Sequence, residues 1–303
     1  MSQIEIIKAK RAGFCFGVRR AVNIAFKAAK KCKNVYTLGP LIHNPQVIKK
    51  LCSEGVCPTE DIDNKNIKTL IIRTHGIPLE LQESLLKKDF KVIDATCPFV
   101  KKAQQYAKLL YKEGYQVLIL GDREHPEVKG LMSYAGNDAI VLNSDYKVSR
   151  LKRKVGVVVQ TTQPTALLKR FIGDILDFVE ELKVFNTICN STALRLKETK
   201  EIAKKVDLLI VAGGKNSANT TQLAKLCIAS SVNAYHIETA LELKPEWFKN
   251  ISKVGITAGA STPDWIIYEI EDRIRDIGGK GDNGYPDSGR NKRYRNSLCR
   301  IAS

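Results

Sequence analysis

The chain alternates amphipathic helices with short apolar segments, and this order occurs three times. Apolar residues keep helical spacing from Val18 to Ala29 and again from Val100 to Leu110, which predicts a helix in each region. In each repeat a short apolar segment then ends in polar residues, at 35–38, 117–120 and 208–212. Strands that alternate with helices predict an α/β fold with parallel sheets.

A second predicted strand in each repeat runs into a polar residue that a proline follows. The segments 69–73, 155–159 and 254–257 lead to one such residue each: His75, Thr161 and Ser261. Ligands of parallel sheets bind at the carboxyl ends of the strands. We therefore expect these three side chains to face a ligand.

Three cysteines give the clearest sign of repetition, because each opens one predicted helix. They are Cys15, Cys97 and Cys189. A polar residue follows each cysteine at the same interval of 28 residues: His43, His125 and Ser217. Equal intervals predict one duplicated fold, with three similar α/β modules built on small parallel sheets. A pseudo-threefold trefoil of these modules would bring the three cysteines together around a central cluster.

The repeat also predicts the module boundaries. The first module covers 14–95 with Cys15, the second 96–188 with Cys97, and the third 189–277 with Cys189. A strand within 1–13 is expected to join the third module. Residues 278–303 are rich in glycine, polar and basic residues, which predicts a disordered tail.

Composition narrows the class of protein. The chain has 303 residues, 44% of them hydrophobic, and no apolar run approaches the roughly 18 residues of a membrane helix. Its first residues do not resemble a signal peptide, so we expect a soluble cytoplasmic protein. The net charge of +17 suits an anionic substrate or an acidic partner. Nucleic acid is not expected, because the lysines are dispersed and not gathered with aromatic residues.

The eight cysteines favour metal or catalytic use over a disulfide framework in a chain of this kind. Three cysteine ligands without a fourth would leave one iron of an iron-sulfur cluster open to a substrate oxygen. Such an iron suits the reductive removal of a hydroxyl. Zinc is the alternative metal, although the close paired spacing of structural zinc sites is missing. Cys52 and Cys57 form the nearest pair and are interpreted as structural.

Polar residues near the predicted strand ends have the hydrogen-bonding character that suits a phosphate. This set consists of His43, His75, His125, Ser217, Asn219 and Ser261. Glu127 lies two residues after His125, where it is a candidate acid for a leaving hydroxyl.

The motifs that contain these residues resemble the 4-hydroxy-3-methylbut-2-enyl diphosphate reductase family. They are GFCFGV at 13–18, HNP at 43–45, THG at 74–76, DATCP at 94–98, HPEVKG at 125–130, QTT at 160–162, TIC at 187–189, GKNSAN at 214–219 and TAGAS at 257–261. Two positions depart from the family pattern. Ala218 stands where many relatives have serine, and Leu196 stands where glutamine is usual.

The resemblance implies a trefoil of three α/β domains and one 4Fe-4S cluster per chain. The cluster ligands would be Cys15, Cys97 and Cys189, with one iron lacking a protein ligand. The resemblance further implies that the diphosphate is held by five residues, His43, His75, Ser217, Asn219 and Ser261, with His125 alongside. Glu127 and Thr161 would serve the allylic hydroxyl, with the glutamate as proton donor.

The reaction implied is the last step of the methylerythritol phosphate route to isoprenoids. Two electrons and two protons convert the substrate to isopentenyl and dimethylallyl diphosphates plus water. An open cluster needs an external donor, so the basic surface predicts docking of an acidic ferredoxin or flavodoxin. Two alternatives remain open: quinolinate synthase, whose own motifs are not evident, and a basic nucleic-acid-binding protein, which only the charge favours.

Overall fold

The protein is described from a computed structural model, which covers residues 4–64, 66–147, 151–215, 217–228 and 232–279. The strands are β1 Glu5–Lys8, β2 Val35–Leu38, β3 Val56–Thr59, β4 Thr69–Ile72, β5 Lys91–Asp94, β6 Gln116–Leu120, β7 Ile140–Leu142, β8 Lys154–Val159, β9 Glu181–Val184, β10 Leu208–Ala212, β11 Asn233–Ile237 and β12 Lys253–Ala258. The α-helices are α1 Phe16–Lys31, α2 Pro45–Ser53, α3 Leu79–Leu85, α4 Pro98–Lys112, α5 Pro126–Tyr134, α6 Thr165–Ile175, α7 Asn190–Ala203, α8 Ala218–Ile228 and α9 Asp264–Gly279. Short 3-10 helices occupy Leu176–Phe178, Ala240–Glu242 and Pro245–Phe248.

The described strands form three parallel sheets of four strands each. Their strand orders are β1-β12-β10-β11, β3-β2-β4-β5 and β7-β6-β8-β9. The α/β class and the three similar parallel sheets are confirmed. In each sheet the two strands predicted from apolar runs lie at the centre, and weaker strands pair at the edges.

Chain contacts divide the molecule into two compact units. The first unit contains the described parts of Met1–Lys27, Ile42–Glu54 and Ser191–Ser303. The second unit contains the described parts of Ala28–Leu41 and Gly55–Asn190.

The first unit is built on the sheet β1-β12-β10-β11, which is covered on both faces. Successive strand side chains point to opposite faces, so Ile210 and Ile256 pack with Ile270 of α9, whereas Leu209 packs with Leu223 of α8. Covering both faces explains why β10 is apolar at every position, because parallel sheets of α/β proteins bury both sides.

The second unit contains the other two sheets. On the sheet β7-β6-β8-β9, one face of β6 packs with α4 and α5 and the other face packs with α6, where Phe171 is fully buried. On the sheet β3-β2-β4-β5, Leu70 and Ile72 pack with Leu85 of α3. The sheet β7-β6-β8-β9 is thus covered on both faces, as is the sheet of the first unit.

Each of the three cysteines follows an edge strand of one sheet. Cys15 follows β1, Cys97 follows β5, and Cys189 follows β9. The strand β1 pairs with β12 and so occupies in its sheet the edge that β5 and β9 occupy in theirs. Each cysteine therefore lies between an edge strand of one sheet and the helix that comes next in the chain.

Two further predictions concern the chain ends and the membrane. Helix α9 continues to Gly279, and the rest of the predicted tail within 278–303 lies outside the described residues. Among the helices that the structure describes, none is both long and apolar enough to cross a membrane.

The cysteines are thiols at five described positions: Cys15, Cys32, Cys97, Cys189 and Cys227. Cys52 and Cys57 are disulfide-bonded. The sequence did not predict this bond, although both residues were interpreted as structural; they lie close together along the chain, near the end of α2 and the start of β3.

Candidate active site

The three module cysteines have equivalent backbone contacts. The Cys15 N–H donates to the Ala260 carbonyl at 3.1 Å, that of Cys97 to Thr74 at 2.9 Å, and that of Cys189 to Thr161 at 2.8 Å. Each acceptor lies in the loop that follows the second central strand of its sheet, after β12, β4 or β8. The same hydrogen bond in three places fixes each cysteine beside the carboxyl end of a strand, where ligands of parallel sheets bind.

These cysteines also differ from the buried cysteine in their surroundings. Cys15, Cys97 and Cys189 are partly exposed thiols, whereas Cys227 is buried in the apolar core of the first unit. Burial raises the pKa of the Cys227 thiol to about 12. Since the thiolate is the form that binds metal, the partly exposed cysteines suit a metal cluster and Cys227 does not.

Glu127 and Thr161 form a buried pair in the second unit. The side chain of Glu127 accepts two hydrogen bonds, from the Thr161 N–H at 2.6 Å and from the Thr161 hydroxyl at 2.9 Å. Glu127 is 2% exposed and Thr161 6%. Helix α5 begins at Pro126, so Glu127 lies in its first turn, where its N–H donates to the His125 Nδ1 at 3.1 Å.

Burial controls the protonation of Glu127. Desolvation raises its pKa to about 7, although the two hydrogen bonds from Thr161 oppose this shift. A carboxyl group with such a pKa is partly protonated near neutral pH and can deliver a proton. The predicted acid thus has the environment that acid catalysis requires.

The rings of His75 and His125 meet edge to face, with centroids 5.5 Å apart. His75 follows β4, and Gly76 after it has φ of +73°. This left-handed backbone angle favours glycine, and a Cβ at Gly76 would lie 2.7 Å from the Gln104 amide nitrogen. The structure therefore brings together four of the predicted residues in the second unit: His75, His125, Glu127 and Thr161.

In the first unit, Asn44 joins the segment of His43 to that of Ser261. Its side-chain oxygen caps helix α2 by accepting from the Gln46 and Val47 N–H groups, and its amide donates to the Ser261 carbonyl at 3.0 Å. The Ser261 hydroxyl is buried and has no hydrogen-bond partner among the described residues. A buried hydroxyl of this kind favours a ligand that would complete its hydrogen bonding.

Ser217 lies immediately before helix α8 and is buried. Its carbonyl accepts from the Thr221 N–H at 2.9 Å, as in the first turn of a helix. Asn219 lies in that turn, and the contact predicted for its side chain falls outside what the structure describes. A helix start beside Ser217 is a suitable place for an anion, because unpaired N–H groups point toward it.

Asn44 was not among the predicted site residues, although the sequence carried a signal for it. Asparagine followed by proline before an amphipathic run is typical of a helix N-cap with proline at the first helical position. The HNP motif thus has two separate parts. His43 is the candidate ligand residue, and Asn44 orders the loop.

Three similar parallel sheets, each with a partly exposed cysteine after its edge strand, define an α/β protein with three equivalent cysteines as candidate metal ligands. A model of the LytB protein family matches residues 6–275. The chain belongs to this family.

Curated relatives match this chain over nearly the whole of their own length. The chain is 49% identical over 279 residues to the 4-hydroxy-3-methylbut-2-enyl diphosphate reductase of Pelobacter propionicus, covering 91% of this chain and 100% of the relative. It is 48% identical over 280 residues to the enzyme of the same name from Aquifex aeolicus, covering 90% and 97%.

Solved structures give the same result for the fold. A structure of (E)-4-hydroxy-3-methyl-but-2-enyl diphosphate reductase, the terminal enzyme of the non-mevalonate pathway, aligns with a TM-score of 0.74 at 46% identity, covering 90% of this chain and 99% of that one. A structure of the E-1-hydroxy-2-methyl-but-2-enyl-4-diphosphate reductase from Plasmodium falciparum aligns with a TM-score of 0.80 at 25% identity, covering 99% of this chain and 100% of that one.

Proposed function

We propose that the chain reduces 4-hydroxy-3-methylbut-2-enyl diphosphate to isopentenyl diphosphate and dimethylallyl diphosphate, the last step of the methylerythritol phosphate route. Relatives with this reductase name match nearly the whole chain. The structural observation that carries the proposal is the buried Glu127–Thr161 pair, because a carboxyl with a pKa of about 7 can supply the proton that a leaving hydroxyl needs.

A 4Fe-4S cluster, one per chain, would be held by Cys15, Cys97 and Cys189, with one iron lacking a protein ligand. The three thiols fit this role because they are partly exposed and because each cysteine makes the equivalent backbone hydrogen bond in its own sheet. When bound, the cluster supplies electrons and Lewis acidity.

The diphosphate is bound by residues at the carboxyl ends of the strands, with backbone N–H groups at helix starts as further donors. These residues are His43, His75, His125, Ser217, Asn219 and Ser261. The buried hydroxyl of Ser261 supports this assignment, because a phosphate oxygen would give it a partner. Ala218 removes one hydroxyl found in many relatives and is expected to affect affinity more than rate.

The proton balance assigns a role to Glu127. The C–O bond of the allylic alcohol breaks, two electrons enter the allyl group, one proton joins the leaving hydroxide to form water, and a second proton joins carbon. Glu127 delivers the proton that forms water, and Thr161 holds its carboxyl in place through two hydrogen bonds. Diphosphate-binding residues fix the other end of the substrate.

This role predicts a dependence of turnover on pH. Because burial raises the pKa of Glu127 to about 7, the acid form dominates below that pH and is lost above it. Turnover at saturating substrate should therefore fall as pH rises through about 7, by about tenfold per pH unit once the carboxylate dominates. Steady-state rates between pH 5.5 and 9 measure this limb, and a rate that stays flat across pH 7 would contradict the role.

The electron donor is proposed to be an acidic ferredoxin or flavodoxin. The net charge of +17 should speed encounter with such a carrier, and salt screens that attraction. We expect carrier-driven turnover at subsaturating carrier to fall roughly tenfold between low and high ionic strength. Turnover driven by a small chemical reductant is the control and should change little. Equal salt dependence for both donors would contradict docking by charge.

The test of the function is anaerobic purification, iron and sulfide analysis, and turnover with the hydroxylated diphosphate. About four irons and four sulfides per chain, with both isoprenoid diphosphates as products, are expected. A chain that holds the cluster but leaves the substrate unchanged would overturn the proposed reaction.

A further inference from the structure

Arg195 is a buried cation in the first unit with an unusual set of partners. It is 3% exposed, and its guanidinium donates only to backbone carbonyls. One nitrogen donates to Ala258 at 2.7 Å and to Arg11, and the other donates to Gly13 at 2.9 Å. No carboxylate within ion-pair distance of Arg195 occurs among the described residues.

The three carbonyls lie in the two segments that adjoin Cys15. Arg11 and Gly13 precede Cys15, and Ala258, the last residue of strand β12, lies two residues before Ala260, which accepts the Cys15 N–H. The same loop after β12 continues to Ser261. One guanidinium thus ties the segment of a proposed cluster ligand to the segment of a proposed diphosphate ligand.

A second side chain of helix α7 also binds the segment that precedes Cys15. Glu198 accepts from the Lys10 N–H at 2.7 Å and from the Arg11 N–H at 3.0 Å. Helix α7 therefore binds the carbonyls of the loop with Arg195 and its N–H groups with Glu198. These hydrogen bonds restrain the loop before Cys15 through both its carbonyl groups and its N–H groups.

Backbone carbonyls satisfy hydrogen bonds of Arg195 but leave its charge unpaired. A buried cation is costly without an opposite charge, and the Nε of Arg195 is buried without a partner among the described residues. A cluster bound through Cys15 would bring negative charge close to this guanidinium, because the backbone that Arg195 contacts at Gly13 leads directly to Cys15.

We propose that Arg195 is a positioning residue that orders the Cys15 loop and places a fixed positive charge beside the cluster. This inference rests on the proposed function, because it assumes the cluster on Cys15. A positive charge stabilises the more negative, reduced state of a cluster, so it raises the reduction potential. Arg195 thereby makes the cluster easier to reduce while it holds Cys15 in place.

The test compares Arg195→Met, which removes the charge, with Arg195→Lys, which retains it but cannot reach three carbonyls in the planar fork of arginine. Lys197→Met is the control, because it removes an exposed charge from the same helix. Three measurements apply to each variant. They are hydrogen exchange of the Cys15 amide in the metal-free protein, the rate of iron release to a chelator, and the reduction potential of the reconstituted cluster.

We expect Arg195→Met to speed Cys15 amide exchange and iron release by at least about tenfold, the factor that follows from losing hydrogen bonds to a charged group. Its reduction potential should become more negative. Arg195→Lys should also speed exchange but keep the potential close to that of the wild type, and Lys197→Met should match the wild type throughout.

The positioning role of Arg195 and the effect of its charge can be disproved separately. Unchanged exchange in Arg195→Lys would overturn the positioning role, and this variant decides that point even if Arg195→Met does not fold. A potential that shifts equally in Arg195→Lys and Arg195→Met, or in neither, would overturn the role of the charge. None of the three measurements uses the diphosphate, so failure of the proposed reaction would appear only as lost turnover in the wild type.

Discussion

Replacement of Cys15, Cys97 or Cys189 by serine is expected to abolish the iron-sulfur absorbance of the anaerobically purified protein. Each serine removes one of three thiolates, and a hydroxyl is a poor substitute because iron-sulfur clusters are held by thiolates. Turnover should disappear together with the cluster. Iron and sulfide per chain and the visible spectrum measure the loss.

Cys32→Ser is the matched control, because Cys32 is also a partly exposed thiol and lies outside the three repeated positions. It should retain the cluster and full turnover, and we expect the same at Cys52, Cys57, Cys227 and Cys299. Retention of the complete cluster after any of the three module changes would show that the ligand assignment is wrong.

The central parts of the fold could be predicted because they are buried on both faces. Strands β6, β8 and β10 are apolar along nearly their whole length, which gives a strong signal in any sequence, and β12 is buried at every position after Lys253. The edge strands gave little signal because they are short and only partly buried. Pro58 in β3 would argue against a strand by itself, but it pairs opposite Thr37 at the edge of its sheet.

The candidate site was predicted from repetition, which gives residue identities but not partners. Equal intervals identified the cysteines and the polar residues that follow them. They could not reveal that one backbone hydrogen bond recurs at all three cysteines, because the acceptors follow no common spacing. Thr74 and Thr161 lie 23 and 28 residues before their cysteines, whereas Ala260 lies 245 residues after Cys15.

Arg195 and Glu127 show why buried charges are hard to predict from sequence. Both are charged residues within helices, and a charged residue in a helix usually faces solvent. Here the topology turns Arg195 toward backbone carbonyls and Glu127 toward Thr161. The sequence indicated Glu127 through its place after His125 and through the family motif, and burial then supplies the raised pKa that the acid role needs.

Glu127→Gln is expected to lower turnover by roughly 100-fold or more while it leaves cluster content and diphosphate affinity nearly unchanged, since positioned proton transfer contributes about 10²- to 10⁴-fold. Glutamine keeps the shape of the side chain, and its amide can still accept from the Thr161 N–H and donate to the Thr161 hydroxyl. It loses the proton, so hydroxide would have to leave without an acid. The rate at saturating substrate measures the loss, and the fall in rate above pH 7 should vanish in the variant.

The melting temperature of Glu127→Gln shows whether the variant has lost only its proton donor or has also lost stability. The pKa of Glu127 is raised from 4.5 to about 7, so its folded state binds a proton that the unfolded chain has already released in that range. This group therefore destabilises the fold as pH rises from 4.5 to 7, and Glu127→Gln, which cannot ionise, should melt no lower than the wild type at pH 8.

Glu124→Gln is the matched control, because Glu124 is exposed in the same loop and pairs with Lys129, and it should turn over normally. If Glu127→Gln instead bound substrate poorly but reached a normal rate at saturation, Glu127 would be a binding residue, and the acid would have to be His125, Thr161 or the diphosphate of the substrate itself.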